Sequence, residues 1–233
     1  MKGAAVLVIG GSSGIGLATA RLAMDQGAQV TIASRSLERL ADAASKLGAV
    51  RTAVLDVCDA GAVERFFAAH APWQTVIVAG SSTRVGPVRG LSLDDARAAM
   101  DNKFWGAYHV GRHARFADGA SLTFVSGVYG IRPSADAVLQ GVINSALESL
   151  ARGLALELAP VRVNAVSQST TATPLWDRLG PQGRQAKFDE MAARLPVGRI
   201  ASADDIAAAI LFVATNRFAT GSTVLVDGGD ALV

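Results

Sequence analysis

The residues best placed to do chemistry come early, at Gly10-Gly11-Ser12-Ser13-Gly14-Ile15-Gly16. There the apolar run Val6-Leu7-Val8-Ile9 breaks into glycines and then into the helical pattern Leu17-Ala18-Thr19-Ala20-Arg21-Leu22-Ala23. A strand, a glycine turn and a helix in that order make a site for phosphate. Glycine permits positive φ and puts no Cβ between the backbone and a pyrophosphate, while the N–H groups and dipole of a helix N-terminus draw negative charge. The spacing is Gly-x-x-x-Gly-x-Gly rather than the commoner Gly-x-Gly-x-x-Gly. A tight turn between packed elements would use the same residues, so the surrounding elements must decide.

Other reactive groups are few. The one cysteine, Cys58, has no partner for a disulfide or a cysteine-based metal site, which suits a reducing compartment and predicts a buried, inert thiol. No metal site is expected. Lys and Arg residues are scattered and the net charge is only +2, so no basic tract points to nucleic acid or anionic lipid. No apolar run approaches the roughly 18 residues that span a bilayer, and the first one ends in a glycine turn rather than a signal-peptidase site. A soluble, cytoplasmic protein is the expectation.

The elements that must position these groups follow a strict rhythm. After the first helix come strand Ala28 to Ala33 ending at Ser34-Arg35-Ser36, a helix with apolar spacing at Leu37, Leu40, Ala44 and Leu47, and a third strand, Arg51 to Leu55. Asp56-Val57-Cys58-Asp59 leads to a helix through Val63, Phe66 and Phe67. Strand four, Thr75 to Val78, stops at Ala79-Gly80, and a helix is expected from about Leu93 to Arg115. Strand five is Ser121 to Val125, a helix from about Ala137 to Leu158 precedes strand six, Val161 to Val166, and a helix from about Ala203 to Ala214 precedes a last strand, Thr223 to Val226. Apolar strands alternating with helices argue for an α/β fold, a doubly wound seven-stranded parallel sheet flanked by helices. With 233 residues, half of them hydrophobic, residues 1–233 read as a single domain. Residues 168–200, rich in Pro and Gly, break the rhythm at the carboxyl edge of the sheet, as lids and substrate loops do.

At full length the chain resembles the short-chain dehydrogenase/reductases, whose domain is of the Rossmann type. Gly10, Gly14 and Gly16 match that family's glycine loop, with Ser12, Ser13 and Ile15 inside it; Asp56-Val57 matches its adenine-contacting pair; Ala79-Gly80 matches the end of its Asn-Asn-Ala-Gly motif. Asn102 is assigned to the asparagine of the active-site helix and Ser126 to the catalytic serine, and Val161 to Val166 and Gly221 to Gly229 resemble strand six and the tail. The resemblance implies a nicotinamide cofactor. Where an acidic residue would select NAD(H), the chain has Ser34-Arg35, and an arginine there suits the 2′-phosphate of NADP(H), a reading favoured over that of a solvated surface residue. NADP(H) is expected, with NAD(H) less favoured. The resemblance also implies a small-molecule substrate and a homodimer or homotetramer through the long fourth and fifth helices.

The departures from the family matter as much. Its Tyr-x-x-x-Lys motif is missing, since Gln140 stands at the tyrosine and Asn144 at the lysine, and Tyr-x-x-x-Lys occurs nowhere in the chain. Ile77-Val78 replaces the two asparagines, Gln168-Ser169 replaces a Pro-Gly, and Ile9 replaces a threonine. Tyrosine protonates the alkoxide left by hydride delivery, whereas a glutamine amide is no practical acid. General acid catalysis is worth about 10²–10⁴-fold, so ordinary carbonyl reduction should be slow unless another group substitutes. Tyr129, three residues after Ser126, is the first candidate, with packing in the substrate wall as its other reading. His109 and His113 share a helical stripe with Asn102 and read as packing or subunit-contact residues. Lys103, beside Asn102, is expected to point elsewhere into solvent. Three readings stay open: an NADP(H)-dependent oxidoreductase with an altered acid, a catalytically silent NADP(H)- or ligand-binding protein acting as sensor or assembly partner, and non-redox chemistry in the same cleft.

Overall fold

The computed structural model describes residues 1–80 and 83–233. Its strands are β1 (Ala5–Ile9), β2 (Gln29–Ser34), β3 (Arg51–Val54), β4 (Trp73–Val78), β5 (Phe116–Val125), β6 (Arg162–Gln168), β7 (Thr171–Ala172), β8 (Ala201–Ser202) and β9 (Thr223–Val226). Its helices are α1 (Gly14–Asp25), α2 (Leu37–Leu47), α3 (Ala60–Ala69), α4 (Leu93–Ala99), α5 (Gly106–His113), α6 (Val138–Glu157), α7 (Gly180–Arg194) and α8 (Ala203–Thr215). Among the described residues seven strands form one parallel sheet in the order β3-β2-β1-β4-β5-β6-β9, the doubly wound fold expected. Strand order reverses between β1 and β4. At such a switch point the carboxyl ends of the strands part and leave a crevice for a ligand.

Alternation along β1 explains the two cores. Leu7 and Ile9 face one side, where Phe67, Val110, Ile143, Leu147 and Leu154 of α3, α5 and α6 bury them. Val6 and Val8 face the other, under Ala20, Leu40, Ile206 and Ile210 of α1, α2 and α8. Each fully buried side chain of this size contributes about 1.5–3 kcal/mol, so the apolar strands are stable only with helices on both faces. At the edge, β3 has one covered face at most, and Arg51, Thr52 and Val54 are exposed.

Two features were not expected from the sequence. The single helix expected from Leu93 to Arg115 is instead α4, a π-helical turn over Met100–Trp105, and α5. Residues 168–200 carry β7, which pairs in parallel with β8 just beyond them, a 3-10 turn over Pro174–Leu179 and α7, with Phe188 and Met191 on that helix as expected. No helix among the described residues is long and apolar enough to cross a membrane.

Candidate active site

The glycine turn follows β1 at the switch point. Gly10 has φ +83°, and a Cβ there would lie 2.3 Å from the backbone N of Gly80; a Cβ on Gly16 would lie 2.2 Å from the Gly10 carbonyl oxygen. Neither overlap is tolerable, so these positions demand glycine, and the bare backbone leaves a surface that a phosphate can approach closely. The helices α2, α3, α4 and α8 cap their first turns with Ser36, Asp59, Ser92 and Ser202. Ser13, at the N-cap of α1, makes no side-chain capping bond, so the N–H groups of that turn remain for an anion. Thr173 closes the other side, its Cγ2 lying 3.2 Å from where a Gly14 Cβ would be. These residues fit a pyrophosphate between the glycine turn and the 168–200 segment.

Beside the glycine turn lie the end of β2 and the segment after β3. Ser34 is half-buried and Arg35 exposed at the end of β2. Asp56 Oδ1 accepts from the Cys58 N–H at 3.0 Å. Cys58 is exposed, not buried, because it sits in the turn that follows an edge strand. Its thiol is nonetheless held protonated: partial burial and the Asp56 carboxylate push its pKa up. The expectation of a buried thiol is thus corrected, and the raised pKa lowers the thiolate fraction of the exposed one.

At the other end, β5 runs out into Ser126, which is buried and donates from Oγ to Glu148 Oε1 at 2.6 Å, with Asn144 carbonyl oxygen at 3.4 Å. The loop lies hard against α6. A Cβ on Gly127 would meet Asn144 Nδ2 at 2.9 Å, and one on Gly141 would meet the Tyr129 carbonyl oxygen at 2.7 Å. Gln140 and Asn144 project from one face of α6, both buried, with Glu148 one turn further on. Gln140 Nε2 donates to Thr83 Oγ1 at 3.0 Å and to the Arg84 carbonyl at 3.2 Å. It thus ties α6 to the loop after β4. Ile77-Val78 and Ala79-Gly80 lead into that loop, and Ala79 N–H donates to the Ile9 carbonyl at 2.9 Å.

Lys103 corrects the expectation that it faces solvent. Its Nζ donates to Asn144 Oδ1 at 2.7 Å. The stem is partly accessible, but the ammonium lies deep enough that desolvation lowers its pKa from 10.5 to about 8, against the opposing pull of Glu148. The reason lies in helix phase. Ala99, Lys103, Ala107 and Val110 form one stripe at spacings of four, four and three, and Ala99, Ala107 and Val110 are buried. A lysine on an otherwise apolar stripe was the signal in the sequence. Asn102 lies on another face, with Nδ2 3.9 Å from Cys58 Sγ. His109 shares that face, its Nδ1 2.9 Å from the Val57 carbonyl, so the Asn102–His109 stripe packs on the segment after β3.

Tyr129 is not brought to Ser126. The 3-10 turn Val128–Gly130 carries it over α6, where it lines a cavity of about 390 Å³ with Pro133, Ala137, Val138, Val142 and Ser145. Ser126, Gln140 and Asn144 do not line that cavity. A second cluster was missed altogether. Asp230, buried after β9, pairs through Oδ1 with Arg194 of α7 at 2.8 Å and Arg132 at 3.4 Å, and its Oδ2 accepts from Ser169 Oγ. It joins the 168–200 segment to the loop after β5. No group of three or more metal-ligating side chains occurs among the described residues.

Residues 9–230 match the family model described as enoyl-(acyl carrier protein) reductase. Over 254 residues the chain is 31% identical to the short-chain dehydrogenase/reductase fsr5 of Gibberella fujikuroi, covering 100% of this chain and 96% of that one. The chain belongs to the short-chain dehydrogenase/reductase family. Among solved structures, a small-chain dehydrogenase in complex with NADPH is 32% identical with a TM-score of 0.85, covering 100% of both chains. A short chain oxidoreductase from Pseudomonas aeruginosa PAO1, NADPH-bound and containing an atypical catalytic center, is 28% identical with a TM-score of 0.89, covering 97% of this chain and 96% of that one.

Proposed function

We propose that this short-chain dehydrogenase/reductase is an NADP(H)-dependent oxidoreductase of a small carbonyl or alcohol, working without the tyrosine and lysine usual in its family. The observation that carries the reading is the glycine cradle, where Gly10 and Gly16 exclude any side chain beside the uncapped turn of α1. NADPH-bound relatives of the same fold support the choice of cofactor. When bound, the cofactor supplies or accepts hydride. Gly10 to Gly16, with Ser12, Ser13 and Ile15, would hold its pyrophosphate, Asp56, Val57, Ala79 and Gly80 its adenosine half, and Ser34 and Arg35 its 2′-phosphate. Residues 168–200 would cover it as a substrate loop.

The reacting end is built from Ser126, Asn144 and Gln140. Ser126 donates its hydroxyl hydrogen bond to Glu148, so what it keeps for a ligand is an acceptor lone pair, which suits an alcohol or another donor group better than a carbonyl. Gln140 serves as a strut to Thr83 and Arg84. Those two commitments favour the second reading, a silent NADP(H)-binding sensor or assembly partner, because both withdraw donors from the cleft. We place the protein in the cytoplasm as a homodimer or homotetramer. Trp105, Tyr108, Val142 and Leu156, all exposed on or beside α5 and α6, support such a contact.

A thermal-shift titration with NADPH, NADP⁺ and NADH, followed by turnover of NADPH against a carbonyl panel, tests the reading. Saturation at 100 times Kd adds about 2.7 kcal/mol, a rise of roughly 5–10 °C for a chain of this size. Arg35→Ala should bring the NADPH response down to that of NADH. No shift with any of the three sinks the oxidoreductase reading, and binding without turnover selects the silent one.

A further inference from the structure

The site described above lacks the lysine of its family on α6, yet a lysine ammonium reaches that point on α6 from another helix. We propose that the Lys103 amine, brought in by the π turn between α4 and α5 and seated on Asn144 Oδ1, is the working cation of this active site. It would hold the ribose of the nicotinamide and give the proton that completes carbonyl reduction. The inference rests on the oxidoreductase reading and deepens it. It identifies the group that replaces the missing acid.

Three observations carry it. Lys103 Nζ stands 2.7 Å from Asn144 Oδ1, the side chain at the family's lysine position, so an ammonium reaches that point of α6 from the neighbouring helix while Asn102 is kept beside it. Among the described residues Asn144 Oδ1 is the acceptor recorded for this ammonium, and an ammonium has three N–H groups, so two remain to be taken by a ligand. Finally, the π turn over Met100–Trp105 is the kind of local irregularity that recurs at functional sites. Here it sets the phase between Lys103 and the face carrying Asn102 and His109. The alternative acids fare worse: Tyr129 lines a separate cavity, and Gln140 has no acidic proton.

The reaction balances. As hydride from the reduced nicotinamide reaches the carbonyl carbon, the C=O π pair moves to oxygen, and a Lys103 N–H bond breaks to give oxygen its proton. The N–H electron pair stays on nitrogen as a neutral amine, which regains a proton from solvent. The alcohol and oxidised cofactor leave. An amine near pKa 8 suits this task at neutral pH far better than one near 10.5. Of the groups around it, Glu148 on α6 is the charged one acting on it. Ser126 and Asn144 are neutral, and Asp56, Cys58 and His109 belong to the Asn102 face.

The chain has four lysines, Lys2, Lys46, Lys103 and Lys187, so ¹³Cε-lysine NMR of the full protein can follow each one. Lys103 should titrate near pH 8, and saturating NADPH should move its resonance and midpoint while leaving the other three in place. Lys103→Asn should weaken NADPH binding about tenfold or more. Lys103→Asn with Asn144→Lys, which returns the ammonium to α6, should recover most of it. Lys103→Arg should keep the binding but lose about 10²–10⁴-fold in turnover, because guanidinium does not give up its proton. If wild type binds NADPH while Lys103 does not respond and Lys103→Asn binds equally well, the inference fails and the oxidoreductase reading stands. If wild type does not bind NADPH, both fail. Should Lys103→Asn fail to fold, the wild-type titration decides alone.

Discussion

Replacing Lys103 by methionine should stabilise this protein at neutral pH. The fold holds the ammonium at a pKa of about 8 against 10.5 for the free side chain. At 1.36 kcal/mol for each tenfold change in proton affinity, that gap is about 3 kcal/mol of net penalty for keeping the charge in the folded state. Methionine has a similar length and no charge, so it escapes the penalty. It leaves Asn144 Oδ1 without its donor, a loss of about 1–2 kcal/mol. The balance is about 1–2 kcal/mol in favour of Lys103→Met, or a rise of roughly 2–8 °C in Tm.

The sign of the pH dependence follows from the same gap. Between pH 8 and 10.5 the unfolded chain keeps a proton on Lys103 that the folded chain has released, so wild-type stability should climb with pH across that window. The variant has no such group there, so its advantage of about 1–2 kcal/mol should vanish near about pH 9, at about 1.36 kcal/mol per pH unit, and reverse above it. Urea denaturation of both proteins at pH 7, 8, 9 and 10 is the assay. A wild type more stable than Lys103→Met at pH 7, or a difference that does not change with pH, would refute the reasoning. A stabilised but inactive variant would mean the charge is kept for what it does, at a cost to the fold.

Two further outcomes are expected. Gly10→Ala combines a positive φ, about 1–2 kcal/mol for a residue with a Cβ, with a 2.3 Å overlap on the Gly80 backbone; differential scanning calorimetry should show a Tm lower by on the order of 10 °C and NADPH binding lost. Gly119→Ala, at φ +71° with nothing within 4 Å of its Cβ, is the control and should cost only the strain. Asp230→Asn removes the buried charge facing Arg132 and Arg194, and with both arginines partly solvated the loss should be about 2–3 kcal/mol. Trypsin should then cut within Gly180–Arg194 faster than in wild type, and an unchanged rate would mean that other contacts hold that helix.

Much of the fold was legible because its signals are local. Apolar runs marked the strands of the main sheet to within about five residues, and apolar spacing at Leu37 and Leu40 marked α2. The π turn was illegible, since its register depends on how Gly106 packs on Val57: a Cβ at 106 would lie 2.5 Å from Val57 Cγ2. The short β7–β8 pair was illegible too, two residues on each side being too few to show alternation. At the site, Ser126 after β5 and Gln140 and Asn144 on α6 could be placed from the resemblance to the family. Lys103 could not, because its place about 100° round the helix from Asn102 suggested a side chain turned out to solvent, whereas the buried stripe of Ala99, Ala107 and Val110 carries it inward. Asp230 escaped notice because its partners lie 36 to 98 positions earlier in the chain.

That distance bears on how the molecule is made. The glycine cradle draws on β1, α1 and the end of β4, all within the first 80 residues, together with Thr173. Arg132, Ser169 and Arg194 leave the ribosome before Asp230 does, and until it emerges they have no common anchor. The residues of the glycine turn are therefore made well before the residue that fastens the 168–200 segment. Translation order therefore fastens the 168–200 segment only after the framework to which it is tied.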